Sequence, residues 1–197
     1  MHVISAPVGG SGKTLLANLI ANIFNPQTAI WMAPINPGAE AEWRKIITTI
    51  LFNMKSHVFF DHVTGNLNSS NLALAITTQL WSDRLLGGNT HVTLENRATW
   101  VITGNNLTLG KDIVRLTLEI RLDPQCECPE NRSHFKHAHI SDWAKKHRAE
   151  LVSAALILVK NWIAQKRPIG GQVWGSFEKW SEVIPGICQA AGIAGCT

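Results

Sequence analysis

Apolar and polar positions come in blocks along this chain, and before residue 123 the period of the blocks switches repeatedly between strand and helix. Val3-Ile4-Ser5 reads as a short strand, and Leu15, Leu16, Leu19, Ile20, Ile23 and Phe24 then follow the two-wide stripe of a helix packed on a sheet. Asn25-Pro26 stops that helix. Thr28 to Met32 reads as a second strand, ended by Pro34, and Asn36-Pro37 opens a helix carrying Trp43, Ile46, Ile47, Ile50 and Leu51 on one side. His57-Val58-Phe59-Phe60-Asp61 is a buried strand with an acid at its carboxyl end. Ser69 or Ser70 caps a helix through Leu72, Ile76 and Leu80. Leu85-Leu86-Gly87-Gly88-Asn89 before Val92-Thr93-Leu94 predicts a turn and a short strand or hairpin. Thr99 to Thr103 is a core strand closed by Gly104-Asn105-Asn106, followed by a helical turn at Asp112–Arg115 and a strand from Leu118 to Leu122.

Beyond Asp123-Pro124 the alternation ends. Residues 124–139 are polar and irregular, and helical spacing begins near Ser141. Leu151, Ala155, Leu158, Val159, Trp162 and Ile163 form an apolar face that stops at Pro168; Ser176 caps a further helix, interrupted at Pro185-Gly186. The pattern predicts an α/β fold: a parallel sheet flanked by helices over residues 1–123, then a linker and a small helical subdomain over 124–197. In such a sheet the ligand lies at the carboxyl ends of the strands.

Composition narrows this little. The length of 197 residues, 45% hydrophobic and 16% charged, excludes a disordered chain and suits one sizeable core. A net charge of +4 allows an anionic partner without demanding one. The four cysteines, Cys126, Cys128, Cys188 and Cys196, do not form a disulfide framework. No charged leader precedes an apolar segment, and the run Leu151–Val159 is too short to span a bilayer, so a cytoplasmic protein without a membrane partner is expected. Only six residues precede the stretch that carries the chemistry, which fits either a minimal domain or one from which upstream domains are missing.

That stretch is Pro7-Val8-Gly9-Gly10-Ser11-Gly12-Lys13-Thr14. Strand, glycine-rich turn, lysine, hydroxyl, helix is the order a phosphate-binding loop requires. Gly9, Gly10 and Gly12 let successive N–H groups, with that of Ser11, curl around phosphate oxygens; Lys13 reaches the outer phosphates and the Thr14 hydroxyl ligates Mg²⁺. Pro7 stands where the usual pattern has its first glycine. Asp61 reads as the acid that holds Mg²⁺ directly or through water, or else as a turn residue. The next residue is His62, so the usual glutamate base is absent; His62 either orients water or is a turn residue. Asn105 is a candidate sensor of the γ-phosphate or a left-handed turn residue, and Asn106 is as good a turn former. Arg115 and Arg121 are candidates for stabilising phosphoryl charge, against solvated arginines paired with Asp112 or Glu119. Cys126, Cys128, His134, His137 and His139 lack a strong zinc spacing and read as a surface linker. Trp43, Trp100, Trp162 and Trp180 read as packing, and Arg84, Asn89, His91 and Arg97 lie on or beside a hairpin that either contacts DNA backbone or is simply solvated.

With these motifs in place the chain resembles the ATPase domain of phage and mobile-element replication proteins, AAA+-type motors related to superfamily-three helicases and often fused to a primase. The resemblance covers nearly all of the chain. It rests on Ala6 to Thr14; Phe60-Asp61 with Val63 and Gly65; Trp81, Asp83, Arg84, Leu86 and Gly87; Arg97 to Val101; and Thr103-Gly104-Asn105-Asn106. It continues in Asp112 and Arg115, Ile120 to Pro124, His147, Arg148, Glu150 and Leu151, and Gly175 to Glu178 with Trp180. It implies ATP–Mg²⁺ at the loop, Asp61 on the metal, Asn105 as sensor and Arg115 as a finger serving a neighbouring subunit of a homo-oligomeric ring acting on DNA. An upstream primase domain or protein is a further implied partner. Similar sequences usually carry Asn where His62 stands and a second Arg where Leu116 stands. Those departures favour an alternative, a fragmentary nucleotide-binding assembly module without turnover. A small-molecule P-loop kinase would need an acceptor site and a basic lid, neither of which is evident.

Overall fold

The computed structural model describes every residue except 25–28, 33–34, 37–38, 86, 172 and 195–197. The signals at Asn25-Pro26, Thr28, Pro34, Pro37, Leu86 and Cys196 lie outside the described residues. The elements follow in the order β1 (His2–Ala6), α1 (Lys13–Phe24), β2 (Ala29–Met32), α2 (Glu40–Phe52), β3 (His57–Val63), β4 (Asn66–Leu67) and α3 (Ser70–Thr77). Then come β5 (Leu80–Arg84), β6 (His91–Glu95), β7 (Thr99–Asn105), β8 (Thr108–Leu109), α4 (Lys111–Val114) and β9 (Leu118–Arg121). A 3-10 turn at Pro129–Asn131 precedes α5 (Ile140–Lys146), α6 (Arg148–Ala164) and α7 (Glu178–Ala190).

Continuous apolar strands need cover on both faces, and here they have it. Five strands form a parallel sheet in the order β2-β3-β7-β1-β9. Alternate side chains go to opposite faces. Val3, Val58, Phe60, Trp100 and Ile102 meet Trp43, Ile47 and Ile50 of α2 and Leu72 of α3; Ile4, Phe59 and Val101 meet Ala17 and Ala21 of α1. The two alanines, one turn apart, bring α1 close to the sheet. β7 lies between β1 and β3, so the carboxyl ends of these three strands stand side by side.

Polar contacts fix the flanking pieces. Ser69 caps α3 by accepting from the Leu72 N–H, and the Glu40 carboxylate of α2 accepts from the N–H groups of Ser70 and Asn71. α3 ends at Thr77 rather than continuing to Leu80, because Leu80 opens β5, which pairs antiparallel with β6 as a hairpin. Trp81 and Asp83 alternate inward from β5, and Asp83 ties the hairpin to α2 through Arg44 and Thr48.

The described residues divide into two compact units, Met1–Ala138 and His139–Thr197. The stretch 124–138, which the sequence pattern groups with the helical part, thus clusters with the first unit, where Pro129 is buried. The second unit is helical. In it Asn161 Nδ2 donates to Ala190 O at 2.8 Å and Trp162 Nε1 to Pro168 O at 2.9 Å. α7 continues through Pro185, where the sequence pattern predicts an interruption; Pro185 and Gly186 are buried and packed against Gly170, which offsets the hydrogen bond a proline cannot make. Trp43 and Trp100 are core residues, while Trp162 and Trp180 are half-buried. No helix of the described residues is long and apolar enough to cross a membrane.

Candidate functional site

The turn from β1 into α1 is built by glycine. Gly10 and Gly12 have φ of +66° and +90°, conformations that side chains resist. The first helical bond runs from Leu16 N to Gly12 O, 2.9 Å, so the N–H groups of the first turn have no helical acceptor and are available to an anion. Ser11 Oγ donates to Val8 O at 2.7 Å and braces the turn. Lys13 is buried, its ammonium donating to Val8 O at 3.3 Å. Burial holds its pKa below the ordinary lysine value, and the Asp61 carboxylate opposes that shift.

Opposite the loop, β3 runs beyond Asp61 to Val63 with a bulge. Phe60 pairs with Ile102 but Val63 with Gly104, so β3 carries one residue more than β7, and His62 takes φ +58°. The His62 N–H donates to Thr103 Oγ1 at 3.2 Å. Asp61 receives the Thr14 hydroxyl at 2.8 Å, the Thr103 hydroxyl, and His62 Nδ1 at 2.9 Å. Burial pushes the Asp61 carboxyl up, but the hydrogen bonds from Thr103, Thr14 and His62 and the nearby imidazole outweigh it and hold the group below its ordinary value.

A cavity of about 280 Å³ is lined by Gly9 to Leu15, His62, Thr64, Thr103, Gly104 and Asn105. Of the candidates, Gly9, Gly10, Ser11, Gly12, Lys13, Thr14 and Asn105 meet in it, and Asp61 reaches it through Thr14 and Thr103. Asn105 is the last residue of β7; the left-handed turn belongs to Asn106, at φ +46°, whose Nδ2 donates to Pro7 O at 3.1 Å. The Asn105 amide oxygen is buried without a partner among the described residues. A larger groove of about 580 Å³ between α2 and the hairpin has a buried acid too, but Asp83 there already accepts from Arg44, Thr48 and the Arg84 N–H.

Arg115 is not brought into the cavity. It ends α4 with its side chain 65% exposed, 4.0 Å from Asp112. Arg121 is exposed at the end of β9, the edge strand. Leu116, where the resemblance expects a second arginine, is a core residue at 2% exposure; a guanidinium there would be desolvated. Among the described residues no three His, Cys, Asp or Glu side chains converge on a metal position, and Cys126 and Cys128 are free and exposed. Magnesium makes a lesser demand. It keeps several waters, takes one or two protein oxygens and leaves the rest to phosphate. The adjacent Thr14 hydroxyl and Asp61 carboxylate fit that demand.

Sequence reasoning missed Thr103, although strand alternation places it two residues before Asn105 and on the same face. It also missed Glu130, which lies against Gly10 and which no local pattern marks.

No protein-family model matches the chain, and no curated protein sequence matches it significantly. The fold is similar to a solved structure, the apo form of the NrS-1 C-terminal region. The TM-score is 0.53 at 17% identity, over 75% of this chain and 34% of that one. At that identity the likeness concerns the fold, and the chain spans about a third of the NrS-1 chain it matches.

Proposed function

We propose that this chain is the ATP-binding, Mg²⁺-dependent motor domain of a DNA-replication helicase of a phage or mobile element, working as a ring. The observation that carries the reading is the convergence of three strand ends on one cavity. The glycine-rich loop follows β1, Asp61 lies on β3, and Asn105 ends the strand between them. The AAA+-type P-loop fold is part of the same reading, and the fold likeness to the NrS-1 C-terminal region supports the fold part of it.

In this scheme the loop N–H groups and Lys13 bind the β- and γ-phosphates. Thr14 and Asp61 would hold the metal, which would supply charge neutralisation to the phosphates. Asn105 turns its unpaired amide oxygen to the attacking water, and Arg115 of a neighbouring subunit meets the transferred phosphoryl group.

Lys13→Ala tests this directly. ATP binding, followed with a fluorescent analogue, should weaken about 10- to 100-fold, the worth of a hydrogen bond between charged groups, and phosphate release with single-stranded DNA should vanish. Unchanged binding and turnover would refute the reading. One observation favours a second reading, nucleotide binding without turnover: the residue after Asp61 is His62, its side chain 75% exposed and paired with Asp61. ATP binding with no DNA-stimulated hydrolysis would select it.

A further inference from the structure

Gly10 is pressed from outside the cavity by a residue 120 positions away in sequence. A Cβ placed on Gly10 would lie 2.7 Å from a carboxylate oxygen of Glu130, and 3.1 Å from both the Cβ and the backbone nitrogen of Glu130. The main chain of Glu130 takes part in this contact as well as its side chain, so the middle of the 3-10 turn at Pro129–Asn131 lies against the loop. The turn is itself fixed: Pro129 is buried, and the N–H groups of Asn131 and Arg132 return to the carbonyls of Cys128 and Pro129 at 3.1 and 3.2 Å. Glu130 is solvent-exposed, does not line the cavity, and forms no ion pair among the described residues.

A carboxylate without an ion-pair partner among the described residues therefore sits against Gly10, one of the loop residues that line the cavity. Helix N-termini and glycine loops attract anions through partial positive charge, and a fixed negative charge beside them works against that attraction. The opposition grows with the charge of the ligand. A metal-free nucleoside triphosphate carries about twice the negative charge of its magnesium complex. We propose that Glu130 is a specificity residue of this loop, an anionic gate that disfavours metal-free polyphosphate and admits the magnesium complex. The inference rests on the nucleotide-binding reading of the loop.

Calorimetric binding of ATP to the full chain, once with Mg²⁺ and once with EDTA, tests it. Glu130→Gln removes the charge and keeps the shape. It should tighten metal-free ATP about tenfold and Mg–ATP about two- to threefold, with both gains shrinking as salt rises from about 50 to 500 mM. Glu130→Asp keeps the charge and should behave as wild type, which guards against a change caused by disturbing the turn. Equal effects on both ligand forms without salt dependence would mean a purely mechanical brace and overturn the gate, as would unchanged affinities or weaker binding by Glu130→Gln. Wild-type binding with any of those outcomes sinks the gate alone. Absence of ATP binding by every variant removes the nucleotide reading, and the gate with it.

Discussion

The amide oxygen of Asn105 is buried and has no partner among the described residues, whereas its neighbour Asn106 takes the left-handed conformation and bonds to Pro7. A buried acceptor without a partner adds nothing to folding stability, and in a native protein it calls for another explanation. Asn105→Ala should leave the unfolding free energy within about 0.5 kcal/mol of wild type in urea denaturation while ATP turnover falls at least about tenfold. A large stability loss with intact turnover would make Asn105 a structural residue. At this scale the loop and Asp61 were legible in the sequence because glycine, lysine and a strand-end acid have local reasons for their order. Thr103 was not, since a threonine in an apolar strand looks like any β-branched residue until the bulge in β3 brings Asp61 against it.

Among the elements, α2 and the β5–β6 hairpin are joined at Asp83, which is buried and accepts from Arg44, Thr48 and the Arg84 N–H, while Trp81 Nε1 donates to Thr48 Oγ1 at 2.9 Å. Burial alone would raise the Asp83 carboxyl, but these donors and the Arg44 charge bring it down to about 2. The unfolded value is about 3.9, so stability from this group is fully present above about pH 4 and is lost as pH falls through about 2. Asp83→Asn should cost about 1–3 kcal/mol at neutral pH, and its deficit against wild type should narrow as urea melts are taken from pH 5 to pH 2.5. A deficit that does not change with pH would show that the carboxylate charge is not what binds the hairpin to α2. The order of the five sheet strands and the longer helices could be read from hydrophobic period, but β4, β5 and β8 could not, so the hairpin stood only as an alternative to a single short strand. Helix ends were harder to place: α3 stops where β5 takes Leu80, and α7 runs through Pro185 because tertiary packing, absent from any local pattern, outweighs one missing bond.

For the whole molecule, the sheet domain was legible from the alternation of strands and helices, but its limit was not. Residues 124–138 are polar and look like a linker, yet Pro129 is buried and Glu130 rests on Gly10, so that stretch completes the first unit. The proposed ring belongs to this scale, and Arg115 provides its test. Its side chain is largely exposed, and a 4.0 Å surface pair with Asp112 is worth about 0–1 kcal/mol, so Arg115→Ala should leave the fold of each subunit unchanged. If the arginine completes a neighbour's site, Arg115→Ala and Lys13→Ala proteins should each be inactive alone and regain part of the ATPase rate when mixed. In the mixture an Arg115→Ala subunit keeps its own loop and borrows the arginine of a Lys13→Ala neighbour. Phosphate release measured across mixing ratios should peak near equal amounts. A flat, inactive profile from two folded proteins that still assemble would show that Arg115 serves no neighbouring site, and an active Arg115→Ala protein would remove it from the chemistry altogether.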